Sequence, residues 1–429
     1  MMCGSVASGK NLATEPLISG CLLTKTKMKQ IKTLLILLTL SFFCACEKKS
    51  IIRDHNPTFP VETIRVDLDY IPKNPANQQP LPRERIAHDF WVRLETSPAC
   101  LIASVDQLQV CCNKIFVLDK DIANALFVFD MKGRFLYQAG RKGRGPGEYF
   151  EASQFTIDSV NRMVVLFDSQ TRDFHRYRLS DGRYLNTLPA DKSYAVNSGI
   201  YFDSLSYAFD QIYHLRFKGK AQYHLNLFRG DSIIGFKRIQ KGHFLPNKFP
   251  FTVSSGKIFY TPIRCDTIFE IDKSGIKRGI FIDFGKRALP LDYLEGGLET
   301  PSALMKSGYA INLRSVLETD RFFYCAFLCG LQRTVFYDKV THMRHPHISF
   351  SGGQPNSFLA TYGNYFVSPL SIIPYASDTP DSVIRAIEAR HSPEHRAILQ
   401  NMKEGDNPAL YFVEIKPADS TGYESDKNR

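Results

Sequence analysis

The chain has 429 residues, of which 44% are hydrophobic and 23% are charged. This balance supports a packed core and excludes a disordered, collagenous or polytopic membrane protein. The formal net charge is +11, but five Lys and one Glu in the first 45 residues account for four of these charges. The remaining positive charge is scattered without a basic run, so we expect no nucleic-acid partner. Aromatic residues make up 12%, a composition that favours β-strands.

The first predicted elements in the chain are those of a secretory signal. A short basic segment begins at Met28, and a run of ten apolar or small residues spans 34–43. This arrangement is typical of a signal peptide, and the run is too short to cross a bilayer core of ~30 Å. We therefore predict that residues 1–45 form the signal region, with the true start at Met28.

A cysteine stands at the predicted cleavage point. Cys46 follows Ala45 and precedes a polar stretch, and this pattern resembles a bacterial lipoprotein signal. The resemblance implies that Cys46 is lipidated and that residues 46–60 tether the folded body to a membrane. Cys44 as the acceptor, or a plain signal peptide with an incidental cysteine, are the alternatives. The predicted location is the envelope, with the protein secreted through the inner membrane and lipid-anchored at the outer membrane, on its periplasmic or surface side.

The body of the chain then repeats a pair of short strands six times. A repeat of about 45 to 50 residues with three or four strands per unit is typical of propeller blades, in which small sheets bury their faces against each other. We therefore predict an all-β, six-bladed β-propeller over residues 61–417, followed by a polar tail over 418–429. The pairs are aligned on Ile115, Met163, Ile212, Ile258, Phe322 and Phe366.

Two interruptions of this repeat predict small helical insertions. One lies at 294–306 and the other between 381 and 402, where apolar residues recur at helical spacing. The first and last blades of the ring must also be joined, because an open edge strand exposes unpaired backbone groups. We assign this closure to residues 61–66, paired with the strand at 410–415.

The link between the first two predicted blades carries the most distinctive motif. Residues 141–149 read Arg-Lys-Gly-Arg-Gly-Pro-Gly-Glu-Tyr and follow a strand pair that ends in Gly-Arg-Phe-Leu. The motif resembles the link between blades in six-bladed β-propeller lipoproteins of Bacteroidota-type bacteria, which are similar to NHL-repeat propellers. The resemblance covers about residues 61–416. It implies the fold and an envelope location, and it leaves the biochemical activity open.

The same link supplies the candidate ligand-binding residues. Its basic, acidic and aromatic side chains suit an anionic or sugar ligand at one face of the propeller. The alternative is that the glycines only shape a tight crossing and that the glutamate caps nearby backbone N–H groups. The candidates are Arg141, Lys142, Arg144, Glu148 and Tyr149.

Acidic residues close several predicted strands, and hard cations prefer such oxygen ligands. They would form a cation site only if they converged near the channel, and a turn-forming role is more common for Asp at strand ends. Two zinc-like patterns, near Cys325 and near His391, carry a proline where a helix is required. We predict neither a metal nor another cofactor. The acidic strand ends are Asp119, Asp130, Asp168, Asp272 and Asp338.

The body contains no local motif of a serine hydrolase, a zinc protease or a phosphate-binding enzyme. We therefore favour an envelope-anchored propeller that acts as a ligand-binding or protein-interaction module, with a glycan or a protein as partner. The alternative is a metal- or His-dependent hydrolase or lyase with its site in the propeller channel, because propeller enzymes assemble sites from separate blades. The two hypotheses differ in whether acidic or His side chains converge on the axis.

Overall fold

The computed structural model of the protein describes fourteen stretches of the body. The predicted signal region, Cys46 and the polar tail from 418 onward lie outside them, as do most residues of the two predicted helical insertions. No helix within these stretches is long and apolar enough to cross a membrane. The described residues are 52–54, 58–66, 68, 85–194, 196–211, 223–238, 247–262, 265–290, 306–342, 344–345, 358–370, 397, 400–403 and 405–417.

The described residues form strands almost throughout, with one short 3₁₀ helix at Gly285–Arg287. The first fourteen strands are β1 (Ile52–Asp54), β2 (Val61–Arg65), β3 (Ile86–Arg93), β4 (Gln107–Cys111), β5 (Lys114–Asp119), β6 (Ala125–Asp130), β7 (Phe135–Gln138), β8 (Arg141–Lys142), β9 (Glu148–Tyr149), β10 (Ala152–Asp158), β11 (Met163–Asp168), β12 (Asp173–Arg178), β13 (Tyr184–Pro189) and β14 (Val196–Asp203). The other fourteen are β15 (Ser206–Gln211), β16 (Tyr223–Arg229), β17 (Ser232–Arg238), β18 (Phe251–Ser254), β19 (Lys257–Tyr260), β20 (Thr267–Asp272), β21 (Gly275–Asp283), β22 (Ile311–Glu318), β23 (Phe322–Cys329), β24 (Leu331–Asp338), β25 (Arg344–His345), β26 (Ala360–Tyr362), β27 (Tyr365–Leu370) and β28 (Ala409–Ile415).

Six antiparallel sheets form the six blades of a propeller, which confirms the predicted fold. Blades 1 to 5 each take four consecutive strands, and blade 6 combines β26, β27 and β28 with the N-terminal strand β3. The first strands of neighbouring blades lie against one another, so these strands line the axis of the ring. Blades 1 to 5 comprise β4–β7, β10–β13, β14–β17, β18–β21 and β22–β25.

Six hydrophobic clusters join the blades, one between each neighbouring pair. In β5, Ile115 and Val117 pack towards blade 6, whereas Phe116 and Leu118 pack towards blade 2. Successive residues of a strand point to opposite faces, so a blade that is covered on both faces needs an unbroken apolar strand. This requirement explains the continuous apolar runs in the sequence, and the cluster between blades 6 and 1 closes the ring.

The closure uses a different strand from the one that the sequence indicated. The outer edge of blade 6 is β3, which pairs antiparallel with β28 from Ile86 to Arg93. The predicted closing strand, β2, instead pairs in parallel with β21 on the outside of blade 4. The assignment to residues 61–66 was wrong because a second edge-pairing strand follows it and carries the alternation that fits β28.

The third predicted pair is displaced along the chain. Its first strand was placed near Ile212, but the strand of blade 3 that pairs with β16 is β15, which ends at Gln211. Residues 212–222 lie outside the described residues. The second strands of blades 1 to 4 begin at Lys114, Met163, Ser206 and Lys257, so their spacing is less regular than the alignment on Ile212 indicated.

Glycines that follow the third strands of blades 1 and 2 allow the neighbouring blade to approach closely. Gly133 has a φ of +79°, and a Cβ there would lie 1.8 Å from the carbonyl oxygen of Arg93 in β3. Gly182 has a φ of +72°, and a Cβ there would lie 2.4 Å from the ring of Tyr137 in blade 1. The repeated Gly-Arg-aromatic-Leu ending is therefore a packing device between blades.

Candidate functional site

The link between blades 1 and 2 brings four of the five candidate residues together at the surface. Strands β8 and β9 pair in parallel, so that Arg141 lies opposite Glu148 and Lys142 lies opposite Tyr149. The side chains of Arg141, Lys142 and Arg144 are exposed, and Glu148 is half-buried. Whether these residues bind a ligand stays a prediction.

Most of the hydrogen-bonding capacity of Glu148 is used within the link itself. Its Oε1 accepts a 2.7 Å bond from Nε of Arg141, and its Oε2 accepts bonds from the backbone N–H groups of Arg144 and Gly145, at 2.9 and 2.8 Å. The bond from Gly145 and the bond from Arg141 hold the pKa of Glu148 below its usual value. The carboxylate therefore acts as a cap for the loop.

Tyr149 lies in the core between blades 1 and 2. Its side chain is fully buried, and its hydroxyl donates to the carbonyl oxygen of Asn124. The neighbouring hydroxyl of Tyr177 donates to the carbonyl oxygen of Gly147 at 3.1 Å. Burial raises the pKa of Tyr149 to about 12. Tyr149 is thus placed to pack the crossing, and a ligand at the surface of the link would meet the three basic side chains.

The acidic strand ends do not converge. Asp119 and Asp168 end the second strands of their blades, whereas Asp130, Asp272 and Asp338 end third strands, which run in the opposite direction. The two groups therefore lie at opposite edges of the blades. Asp119 also forms hydrogen bonds with nearby backbone groups, since its Oδ2 accepts from the N–H groups of Ala103 and Ser104. Among the described residues, no group of three or more His, Cys, Asp or Glu is placed to hold a metal ion.

A cavity of about 230 Å³ opens on the axis of the ring, between the first strands of four blades. Blade 1 contributes its first strand, blade 4 contributes β18, and blade 5 contributes β22, while blade 6 contributes the residue before β26. The lining is mixed, with apolar, hydroxyl, amide and guanidinium groups. The lining residues are Val105, Asp106, Gln107, Leu108, Phe249, Phe251, Thr252, Val253, Arg314, Ser315, Gln332 and Leu359.

Arg314 supplies the cationic group of this cavity. It is half-buried, its Nη2 donates to Oε1 of Gln332, and burial lowers the pKa of its guanidinium. No carboxylate of the described residues lies within salt-bridge distance of it. An arginine removed from water without a counter-ion is costly for folding.

The strand that carries Arg314 is distorted at this residue. The pairing of β22 with β23 shifts register on both sides of Arg314, between Ile311 and Arg314 and again between Arg314 and Leu317. The next residue, Ser315, has a φ of +50°, a conformation that is unfavourable for a residue with a side chain. Bulges of this kind redirect side chains, and they concentrate next to functional sites.

A clasp between opposite blades lies over one end of the cavity. Lys248, just before β18 in blade 4, donates from Nζ to Oδ1 of Asp106 at 2.8 Å and to Oδ2 of Asp121 at 2.5 Å, both in blade 1. The adjacent Asn247 donates from Nδ2 to the carbonyl oxygen of Thr261 and is buried. The segment 247–250 is therefore held at both sides of the channel.

A buried carboxyl group supports the same segment from blade 3. Asp210 accepts from the hydroxyl of Tyr260 at 2.7 Å and from Nδ2 of Asn197 at 2.8 Å, and Asn197 also donates to the carbonyl oxygen of Asn247. Burial raises the pKa of Asp210 to about 7, against the opposing effect of these two hydrogen bonds.

No local motif in the sequence marks the residues that line the channel. They come from segments more than 200 residues apart, and none belongs to a recognisable pattern. One signal was present: Arg314 lies among apolar and small polar residues in the segment Ile-Asn-Leu-Arg-Ser-Val-Leu, shortly before the fifth predicted strand pair. A charged residue at such a position is unusual unless it faces a cavity.

Comparisons with known proteins support the fold. The model of the domain of unknown function DUF4934 matches residues 72–414. A crystal structure of a Bacteroides fragilis protein that is described as exported matches with a TM-score of 0.67 at 20% identity, over 83% of this chain and 100% of that one. No curated protein matches the chain.

Two further structures match less well. A Bacteroides vulgatus member of the DUF4221 family has a TM-score of 0.44 at 7% identity, over 77% of this chain and 97% of that one. A streptogramin B lyase has a TM-score of 0.35 at 11% identity, over 66% of this chain and 80% of that one.

Proposed function

Since the chain belongs to the family of the domain of unknown function DUF4934, we propose that it is an exported propeller that binds a small ligand in its central channel. In this role it is a binding module of the cell envelope. The observation that carries the proposal is the axial cavity of about 230 Å³, which four blades build from residues far apart in the chain. A mostly preformed concave site with a few polar groups is the usual form of a small-molecule site.

The cavity fits binding better than acid–base catalysis. Asp106 is the one carboxylate in its lining, which contains no histidine. Both oxygens of Asp106 are engaged, Oδ1 by Lys248 and Oδ2 by the backbone N–H groups of Lys120 and Asp121. A general base needs a free lone pair within reach of its substrate. The hydrolase or lyase hypothesis therefore receives no specific support from the described residues of the channel.

The envelope location rests on the N-terminal sequence. The basic segment, the apolar run and Cys46 fit a lipoprotein signal, and a structural relative from Bacteroides fragilis is described as exported. We propose that Cys46 carries the lipid anchor at the outer membrane. Fatty-acid labelling of the full-length protein in its host tests this directly: the label should be lost in Cys46→Ser and retained in Cys44→Ser. If the label is lost in Cys44→Ser and retained in Cys46→Ser, the lipid anchor is Cys44.

The binding role is tested by filling the cavity. Thr252 lies half-buried on β18 in the lining, so Thr252→Trp should occupy the space that a ligand needs. The full-length protein is assayed by thermal shift and calorimetry against a panel of monosaccharides, sugar acids, amino acids and nucleotides. A compound that binds the wild type should fail to bind Thr252→Trp. Val340→Trp is the matched control, because Val340 is 65% exposed on blade 5 and lies outside the lining.

Two results would contradict the channel assignment. A compound that binds Thr252→Trp as tightly as the wild type does would place the site elsewhere. If its binding were then abolished by Arg144→Glu, the ligand site would be the link between blades 1 and 2. A panel in which no compound binds the wild type would remove the support for a small-molecule module and favour a protein partner.

A further inference from the structure

We propose that the channel ligand is a small, hydroxylated organic anion and that Arg314 recognises its charge. This inference rests on the proposed binding function, because it names the chemical class of the ligand in the same cavity. Four observations support it: a guanidinium without a counter-ion among the described residues, the engagement of the lining carboxylate by Lys248, the distorted strand, and the size and polarity of the lining.

The guanidinium of Arg314 has no counter-ion within the described part of the chain. Among the described residues, its hydrogen-bond partner is the neutral amide oxygen of Gln332. Arginine has five N–H donors in a planar fork that matches a carboxylate or a sulfate. A single amide leaves most of these donors available, and an anion that enters the cavity can satisfy them.

The acid in the lining does not cancel this charge. The side chain of Asp106 is 4% exposed, and Lys248 of blade 4 approaches it to 2.8 Å. Lys248 is also bound to Asp121, whose side chain is half exposed. The carboxylate of Asp106 is thus engaged by Lys248, whereas Arg314 contributes the positive charge of the cavity lining.

The backbone distortion at Arg314 indicates that the fold departs from a regular strand in order to place this side chain at the cavity. Two register shifts flank the residue, and the φ of +50° at Ser315 is a strained conformation for a residue with a side chain. Leu313 and Val316 both pack in the cluster between blades 4 and 5, although residues three apart point to opposite faces of a regular strand. The fold instead retains a costly conformation that presents a cation and a hydroxyl at the cavity.

The remaining lining suits a hydroxylated ligand of about monosaccharide size. The cavity of about 230 Å³ also presents the side chains of Thr252 and Ser315 and the half-buried ring of Phe249. Hydroxyl groups exchange hydrogen bonds with sugar-like hydroxyls, and an aromatic face packs on an apolar sugar face. The amide of Gln107 is not available in the same way, since it bonds to the backbone of Phe155.

The test compares matched anionic and neutral probes on the full-length protein. Calorimetry measures the dissociation constants of D-glucuronate, D-glucose and inorganic sulfate for the wild type, Arg314→Lys, Arg314→Gln and Arg183→Gln. Arg183 is exposed in a turn of blade 2 and serves as the control for the loss of one positive charge. We expect glucuronate to bind at least tenfold more tightly than glucose, as is typical of a charge-assisted hydrogen-bond pair.

The variants should separate charge recognition from general binding. Arg314→Gln should weaken glucuronate roughly tenfold or more and remove the preference over glucose, Arg314→Lys should retain part of it, and Arg183→Gln should match the wild type. Competition by sulfate alone would support a site for anions without a hydroxylated body, and would overturn the sugar-like part of the proposal.

Other outcomes overturn the inference, and they show whether the proposed binding function fails with it. If glucose binds as tightly as glucuronate, and Thr252→Trp blocks both, the channel binds ligands but Arg314 does not select anions. If none of the three probes binds while another compound of the panel is blocked by Thr252→Trp, the binding module stands and the anion assignment falls. If glucuronate binds Arg314→Gln and Thr252→Trp as it binds the wild type, both proposals fail for this ligand.

Discussion

One strand of blade 5 carries two charged residues with opposite surroundings. At one end of β22, Glu318 accepts bonds from Lys257 at 2.6 Å, Arg278 at 2.8 Å and Lys339 at 3.0 Å. Four residues earlier, Arg314 faces the channel without a carboxylate partner among the described residues. The first charge binds blade 4 to blade 5, and the second contributes nothing comparable to the fold.

The contrast shows how a structural charge differs from a charge that is kept for a ligand. Glu318 is 3% exposed and has more cations than it needs for neutrality. Although burial alone raises its pKa, the bonds from Lys257, Arg278 and Lys339 lower the pKa of Glu318 to about 2. Arg314 shows the reverse, since burial lowers its pKa and the opposing effect comes from Tyr324 and not from a carboxylate. Variants of Glu318 and Arg314 should therefore differ in their effect on stability.

The largest effect is expected for Glu318→Ala. It leaves Lys257 and Lys339 without their carboxylate partner, while Arg278 keeps Glu270 and Glu62, so the free energy of unfolding at pH 7 should fall by about 3 kcal/mol. Because the folded pKa lies below the unfolded value of 4.5, this carboxylate stabilises the wild type above pH 4.5, and the contribution is lost as the pH falls to about 2. Chemical denaturation across this range checks it. A wild type and a Glu318→Ala variant with the same acid dependence would refute the role of the ion cluster.

The next effect tests the link between blades 1 and 2. Gly147 has a φ of +77°, and a Cβ there would lie 2.6 Å from the ring of Tyr184, so Gly147→Ala should cost about 2 kcal/mol. Gly256→Ala is the control, since Gly256 has a φ of +74° with open space around it and should cost about 1 kcal/mol. Urea unfolding measures both. Equal costs would mean that the close approach to Tyr184 is relieved by a small shift.

The third effect has the opposite sign. Arg314→Met removes an unpaired guanidinium from the cavity, so the variant should be as stable as the wild type or more stable by about 1 kcal/mol. Thermal and urea unfolding of the ligand-free protein measure this. A loss of more than about 1 kcal/mol would show that Arg314 supports the fold, and would break the contrast with Glu318.

The smallest effect is expected at the far end of the first strand of blade 1. Cys112 is exposed in the turn after β4, with its sulfur 3.0 Å from that of Cys111, whereas Cys325 is fully buried in blade 5. Burial and the neighbouring thiol raise the pKa of Cys111 to about 12. Maleimide should therefore label Cys112 first and Cys325 only after unfolding. Cys112→Ser should change the stability by less than about 0.5 kcal/mol and leave channel binding unaltered.

The sequence predicted the blades because each blade must repeat the same physical solution. A sheet that is covered on both faces needs continuous apolar strands, and the glycine turns must recur where neighbouring blades approach. It did not predict the closing strand correctly, because residues 61–66 and β3 both suit an edge and only the three-dimensional partner distinguishes them. The position of blade 3 was also predicted wrongly. The repeat was aligned on Ile212, which resembles the first residues of the other pairs, but the strand that pairs with β16 ends at Gln211.

The candidate sites divide in the same way. A conspicuous local motif indicated Arg141 to Tyr149, and the structure uses much of it for the crossing itself, with Glu148 as a cap and Tyr149 in the core. The channel cavity could not be predicted, because Thr252 and Arg314 become neighbours only when the ring closes. The acidic strand ends do not come together, since antiparallel neighbours such as Asp119 and Asp130 end at opposite edges of one blade.

The N-terminal segment touches three blades before the ring is closed. Strand β1 pairs with β17 on blade 3, β2 pairs with β21 on blade 4, and β3 completes blade 6 beside β28. A pulling force on the amino end therefore reaches two short outer strands before it reaches the closing strand. Those outer strands are fifth strands of their sheets, so they can detach and extend while each of the six blades keeps its four strands. Tension applied at the amino end would therefore be taken up by these two outer strands before it reaches the ring and its channel.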